Sequence, residues 1–292
     1  MKKTSNINYE EFLNIGFIQT NLNEKLAWFN SATGNWSIPM STAAQSKMIQ
    51  EIQQGFCDVV NYSNKPQFII LPELTLPIPN EKTLEMLCLA SKSIVIAGFD
   101  FVQGKKGIQN KAVIMVPNQW PLQIRSRHVS KYYIGKTHFS IPEKDLFKAI
   151  GQSEEPDQAM YLFHANVYGT VGIAICSDFF DLERFVIYRG KIQHLLVISH
   201  NQDTESYYFL AEAISRIVFC NVIICNTGFY GDSIAFSPYS DSYKRYVYRH
   251  KGQDLFATQV VKLPVRGLVS AQIKSPGKTA PFKASPPGYK YG

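Results

Sequence analysis

Four polar residues stand just beyond short apolar runs. Glu73 follows Phe68-Ile69-Ile70-Leu71-Pro72, and Cys176 follows Val171-Gly172-Ile173-Ala174-Ile175. Asn201 comes after Leu195-Leu196-Val197-Ile198-Ser199-His200, and Asn226 after Val222-Ile223-Ile224-Cys225. In layered α/β sheets, groups past strand ends gather in one crevice however far apart they lie in sequence. A cysteine and a carboxylate in such a crevice suit nucleophilic catalysis, because the thiolate attacks carbonyl-like carbon once a base takes its proton. A lysine would stabilise the oxyanion that results. Both Lys131 and Lys136, near the end of an alternating segment, are candidates for it.

The apolar runs read as strands buried on both faces. Helical spacing lies between them. Met48, Ile49, Ile52, Phe56, Val59 and Val60 share a face within 41–62, and Leu84, Leu87 and Cys88 do so before a strand at 94–99. Tyr208, Leu210, Ala211, Ile214 and Val218 repeat the pattern within 204–219. Segments 123–133 and 257–263 alternate, as more exposed or edge strands do. Strand alternating with helix predicts a layered α/β protein.

The chain has 292 residues, 45% apolar and 18% charged, enough for one large core and unlike a disordered chain. Its net charge is +7, but four lysines and no acid fall in 274–292, so the body keeps only +3. That surplus does not mark the body as a nucleic-acid binder. The tail, rich in Pro, Gly and Lys, has no core of its own. It is expected to stay mobile or lie across a neighbouring molecule, where its lysines are available to nucleic acid or an acidic partner. No apolar run approaches a membrane span, and Met1-Lys2-Lys3 leads into Thr4-Ser5-Asn6 rather than a signal segment. Five cysteines without framework spacing fit a reducing compartment, so the expected location is cytoplasmic.

The motifs resemble those of the nitrilase superfamily, the carbon–nitrogen hydrolases. The resemblance runs from about Ile15 to about Val269. It is carried by Pro72-Glu73, by Lys136-Thr137-His138-Phe139 with Glu143, and by Ile175-Cys176-Ser177-Asp178, in that order. Ala97-Gly98, Asn110, Asn226-Thr227-Gly228 and Gly231-Asp232-Ser233 add to it. The resemblance implies a four-layer α-β-β-α sandwich over residues 1–273, followed by the tail at 274–292. It implies Glu73 as general base, Cys176 as nucleophile forming a thioester, and Lys136 with the Ser177 N–H as oxyanion donors. It implies Glu143 as support for the lysine and substrate, no cofactor, no metal, and a homodimer or higher homo-oligomer. The expected activity is hydrolysis of a non-peptide C–N bond in a small amide or carbamoyl compound. Two alternatives share these residues: an acyl or amide transferase, and a catalytically silent scaffold or sensor.

Blander readings stand beside these. Cys57, Cys88, Cys220 and Cys225 read as small buried hydrophobes, whereas an expected helix start at Cys176 favours its thiolate. Asn201 and Asn226 read as turn residues bonding local backbone, Asp178 as a residue ordering the loop after the nucleophile, and Lys131 as a solvated strand lysine. His138 and His200 keep a Cys-His protease pairing in view. The six histidines are scattered and there is no Cys-x-x-Cys, so no metal spacing is visible. Three departures from the family pattern stand out: Ser177 replaces an aromatic residue, Asp181-Leu182-Glu183 replaces Pro-Glu, and 214–221 lacks the usual acid. Glu154, Glu155 and Asp157 are placed at the pocket rim.

Overall fold

Two six-stranded sheets face each other through their apolar sides in a computed structural model that describes residues 7–31, 33–122, 124–274 and 280–292. Across the first sheet the strands run Ala257–Pro264, Phe12–Gln19, Phe68–Ile70, Ile94–Gly98, Lys111–Pro117 and Val129–Gly135. Across the second they run Leu162–His164, Thr170–Ile175, His194–Ser199, Asn221–Asn226, Ser233–Phe236 and Tyr246–His250. Both sheets share one plan: three parallel strands with antiparallel strands at either side. Parallel strands place their C-terminal ends along one margin, which is where the chemistry-bearing residues stand.

Period-2 alternation divides each strand between two cores. Ile15, Phe17, Phe68, Ile70, Ile94 and Ile96 point inward and meet Ile173, Ile175, Leu196, Ile198 and Ile223 of the other sheet. Ile69, Val95, Val113 and Met115 point outward under the helices Thr42–Val60 and Glu81–Ser91, which contribute Ile52, Phe56, Leu84 and Cys88. On the opposite face, Ala174, Leu195, Val197 and Ile224 pack under Leu182–Tyr188 and Thr204–Ile214. The result is the expected helix-sheet-sheet-helix sandwich. Among the described residues no helix is long and apolar enough to cross a membrane.

Several expectations shift in detail. The alternating segment at 123–133 forms a strand only over Val129–Gly135, at a sheet edge, and Gln123 lies outside the described residues. The helix expected over 204–219 is α-helical to Ile214 and ends in a π turn, Ser215–Phe219. Cys57 is exposed, because it lies off the buried stripe of Met48, Ile52, Phe56 and Val59. The described part of the tail, 280–292, packs on its own body rather than lying loose. Phe282 stacks on Tyr239 with ring centroids 4.9 Å apart, and the Gly292 N–H donates to the Gly190 carbonyl at 3.0 Å. Phe282 and Tyr289 are buried against Phe219, Leu268 and Ala271. Two aromatic side chains supply the core that the tail's composition does not suggest.

Candidate active site

Glu73 is held in place by its backbone before any side chain acts. A Cβ at Gly98 would lie 2.5 Å from the Glu73 Cα, so only glycine lets the neighbouring strand approach this closely. The Glu73 residue is 1% exposed. Its Oε1 accepts from Lys136 Nζ at 2.7 Å and Asn110 Nδ2 at 2.7 Å, and its Oε2 from the His200 N–H at 2.9 Å.

Lys136 directly follows the strand Val129–Gly135, and its N–H donates to the Asn110 carbonyl at 2.9 Å. Its Nζ also reaches Glu143 Oε2 at 2.7 Å. Glu143 is fixed by helix chemistry. Ser140 caps the helix Ile141–Ala149, and Glu143 at the third helical position returns its carboxylate to the Ser140 N–H at 2.8 Å. The seven-residue spacing from Lys136 to Glu143 is thus one loop plus one capping box. Lys131 is elsewhere: it pairs with Glu81 at 2.9 Å and Glu85 at 3.0 Å on the outer helix Glu81–Ser91.

Cys176 ends the strand Thr170–Ile175 in the left-handed region, at φ 48°. A non-glycine residue there is strained, and such strain concentrates at functional sites. The Ser177 hydroxyl donates to the His138 carbonyl, so the residue standing in place of an aromatic ties this turn to the lysine loop. Asp178 reinforces the tie, accepting from the Thr137 N–H at 3.1 Å and the His138 N–H at 2.8 Å. Buried Arg184 lies 3.5 Å from the Asp178 carboxylate. Asn226 is structural, accepting from Ser199 Oγ at 2.7 Å and the Asn201 N–H at 2.9 Å.

Electrostatics separate the two glutamates. Burial raises the Glu73 pKa above its ordinary value despite Lys136, and the Glu143 charge adds to the rise. Burial would raise Glu143 too, but the Lys136 charge and hydrogen bonds from Lys136, the Ser140 N–H and Asn110 together outweigh it and hold that carboxyl low. Burial alone would lower Lys136; the charges of Cys176, Glu143 and Glu73 instead hold it well above its usual value. Two carboxyls pushed apart take different parts: one trades a proton, the other stays charged. Burial and the Glu73 charge push the Cys176 thiol up to about 12. The expectation of a thiolate favoured by a helix start is therefore corrected. The five-residue turn that begins at Cys176 does not offset burial, and the thiol needs a base at the moment of attack.

Cys176, Glu73, Lys136 and Glu143 share a cavity of about 460 Å³, of a size for a small ligand. Trp28, Trp36, Phe101 and Tyr230 form its apolar walls, and Asn201 also lines it. These aromatic residues stood in no motif. Tyr207, not its neighbour Tyr208, is buried beside the Cys176 thiol, as helical spacing from Ala211 and Ile214 requires. Glu154, Glu155 and Asp157 do not line the cavity. Glu155 accepts from the Lys106 N–H at 2.6 Å and Gln109 Nε2 at 2.6 Å, Asp157 accepts from the Tyr161 hydroxyl, and Glu154 faces Lys144. His138 is 56% exposed and faces Asp181 at 3.6 Å, while burial lowers His200 to about 4. Neither histidine is placed as a charged partner for the thiol.

No family model and no curated protein sequence matches the chain. Solved structures do. A carbon–nitrogen hydrolase superfamily protein from Xanthomonas campestris, with an arsenic adduct in its active site, superposes with a TM-score of 0.64 at 10% identity over 92% of this chain and 98% of that one. An amidase mutant from Nesterenkonia sp. AN1, with the acetamide moiety of fluoroacetamide added covalently at its active-site cysteine, gives 0.62 at 12% identity over 89% and 94%. A carbon–nitrogen hydrolase from Helicobacter pylori gives 0.62 at 12% over 89% and 91%. At these identities the likeness establishes architecture, and the architecture of this chain is the nitrilase (carbon–nitrogen hydrolase) superfamily fold.

Proposed function

We propose that the protein hydrolyses a non-peptide C–N bond, in a small amide or carbamoyl compound, through a thioester on Cys176. One observation carries the reading: a fully buried lysine ammonium sits between two glutamates at 2.7 Å each, in the cavity that holds a strained, buried cysteine. Burying three charged groups is costly, and structural need alone does not call for it. The solved structures with adducts at the site or its cysteine support the same reading by fold.

In this mechanism Glu73 takes the thiol proton as Sγ adds to the carbonyl carbon. The oxyanion is met by Lys136 Nζ and the Ser177 N–H. Collapse breaks the C–N bond, and the departing amine receives the proton from Glu73. Water then enters, Glu73 takes its proton, and attack on the thioester releases the acid and returns the proton to sulfur. Glu143 keeps Lys136 charged and in place throughout. A homodimer and a cytoplasmic location belong to the same proposal, the first open to light scattering at micromolar concentration.

The test is ammonia release across a panel of small amides and carbamoyl compounds, with hydroxylamine as trap. Ammonia plus hydroxamate is the expected result. Hydroxamate without acid in its absence favours the transferase alternative, and silence throughout favours the scaffold.

A further inference from the structure

Among the described residues, five carboxylates and one ammonium line the cavity around Cys176. Glu73 and Glu143 are engaged by Lys136. Glu24, Asp145 and Asp203 are not, and they stand on the more exposed part of the lining, in a chain whose net charge is +7. Such a lining repels anionic substrates and attracts cations.

His200 supplies an independent observation. Its side chain is only 6% exposed and lines the same cavity, with its ring 5.3 Å from Tyr230 and 6.2 Å from Trp28. Neither ring nitrogen has a hydrogen-bond partner among the described residues. Nε2 faces Glu24 Oε2 at 4.0 Å, beyond hydrogen-bond reach. Burial keeps the imidazole neutral at neutral pH, so one of its nitrogens is an acceptor. Two acceptors at that separation can share one ammonium, since each N–H contact spans about 2.9 Å. The rings of Trp28 and Tyr230 stand beside the imidazole, and aromatic rings near a bound ammonium add to its attraction.

We propose that the substrate is a cationic amide, its carbonyl carbon presented to Cys176 while an ammonium at the far end of a short chain is held between Glu24 Oε2 and His200 Nε2. This rests on the hydrolase reading above. The imidazole is screened from solvent, whereas the Glu24 side chain is 40% exposed.

Three probes of similar length decide the matter: 5-aminopentanamide as cation, hexanamide as neutral isostere, and 4-carboxybutanamide as anion. Calorimetry at pH 7 on the Cys176→Ala protein reads binding without turnover. The cation should bind about tenfold or more tightly than hexanamide, and the anion not at all; Glu24→Gln in that background should bring the ratio to about twofold or less. Equal binding of cation and neutral amide, a preference that survives Glu24→Gln, or no binding of the cation at millimolar concentration overturns the proposal. Wild-type turnover is read separately. Hydrolysis of hexanamide as efficient as that of the cation sinks the proposal and leaves the hydrolase reading standing, whereas selective binding without ammonia release removes the hydrolase reading, and with it the cation's part as substrate, and leaves only a cation-binding site.

Discussion

Glu73 and Glu143 are bridged twice: Lys136 Nζ joins Oε1 of the first to Oε2 of the second at 2.7 Å each, and Asn110 Nδ2 joins their Oε1 atoms at 2.7 and 2.8 Å. Removing the ammonium leaves two buried carboxylates facing each other. Lys136→Ala should therefore lower kcat by about 100- to 1000-fold and also destabilise the fold by about 3–5 kcal/mol. Lys131→Ala removes only a partly exposed pair and should cost about 1 kcal/mol or less. Steady-state kinetics and urea melts on both variants check this, and equal effects would mean that the wrong lysine has been placed in the site.

Gly98→Ala tests whether the strand contact positions the base. The added methyl meets Glu73 Cα at 2.5 Å and the Leu74 nitrogen at 2.7 Å, both backbone atoms that cannot rotate away. Expected are a loss of about 1–3 kcal/mol in stability and a fall in kcat larger than that at a site away from Glu73. An active, unperturbed variant would show that the approach is dispensable.

The pH profile follows from the raised pKa of Glu73. The base must be a carboxylate to accept the thiol proton, so kcat/KM should rise with pH along an acid limb above 4.5, the ordinary glutamate value. Because the Glu143 charge contributes to that rise, Glu143→Gln should move the limb of the residual activity downward. The limb belongs to the coupled pair rather than to one residue. An unmoved limb would detach Glu73 from it.

Alkylation should divide the five thiols into three classes. Cys57 is exposed and should take iodoacetamide regardless of Glu73. Cys88, Cys220 and Cys225 are buried with raised pKa values and should stay silent. Cys176 should label in wild type and not in Glu73→Gln, since its own pKa of about 12 leaves it dependent on the base. Peptide mapping after limiting reagent reads all five.

The tail carries its own test. Phe282 is 2% exposed and anchors the last residues to the body, so Phe282→Ala should cost about 3–5 kcal/mol. A melting temperature within error of wild type would show that the tail's contacts add nothing.

Much of the site was legible because its residues sit where buried strands end, as Glu73 and Cys176 do. The choice of lysine was legible in principle from strand parity. Ile134 faces the inner core, and Lys136, two residues on, shares its face, whereas Lys131 lies on the opposite face toward the helix Glu81–Ser91. The same argument would have exposed Cys57, which is off its helix's apolar stripe. Trp28 and Tyr230 were not legible, because they reach the cavity from loops and a short helix whose placement depends on the whole fold. Composition also misled at the tail, where Pro, Gly and Lys outweigh the two aromatic residues that fix it.

The central claim is that Cys176 forms an acyl bond with the substrate carbon. Mass spectrometry of protein quenched in acid during turnover of a small amide tests it most directly. A mass increase equal to the acyl group, mapped to the peptide containing Cys176 and missing from Cys176→Ala, is the predicted result. Amide turnover with no adduct, or with turnover retained in Cys176→Ala, would contradict it.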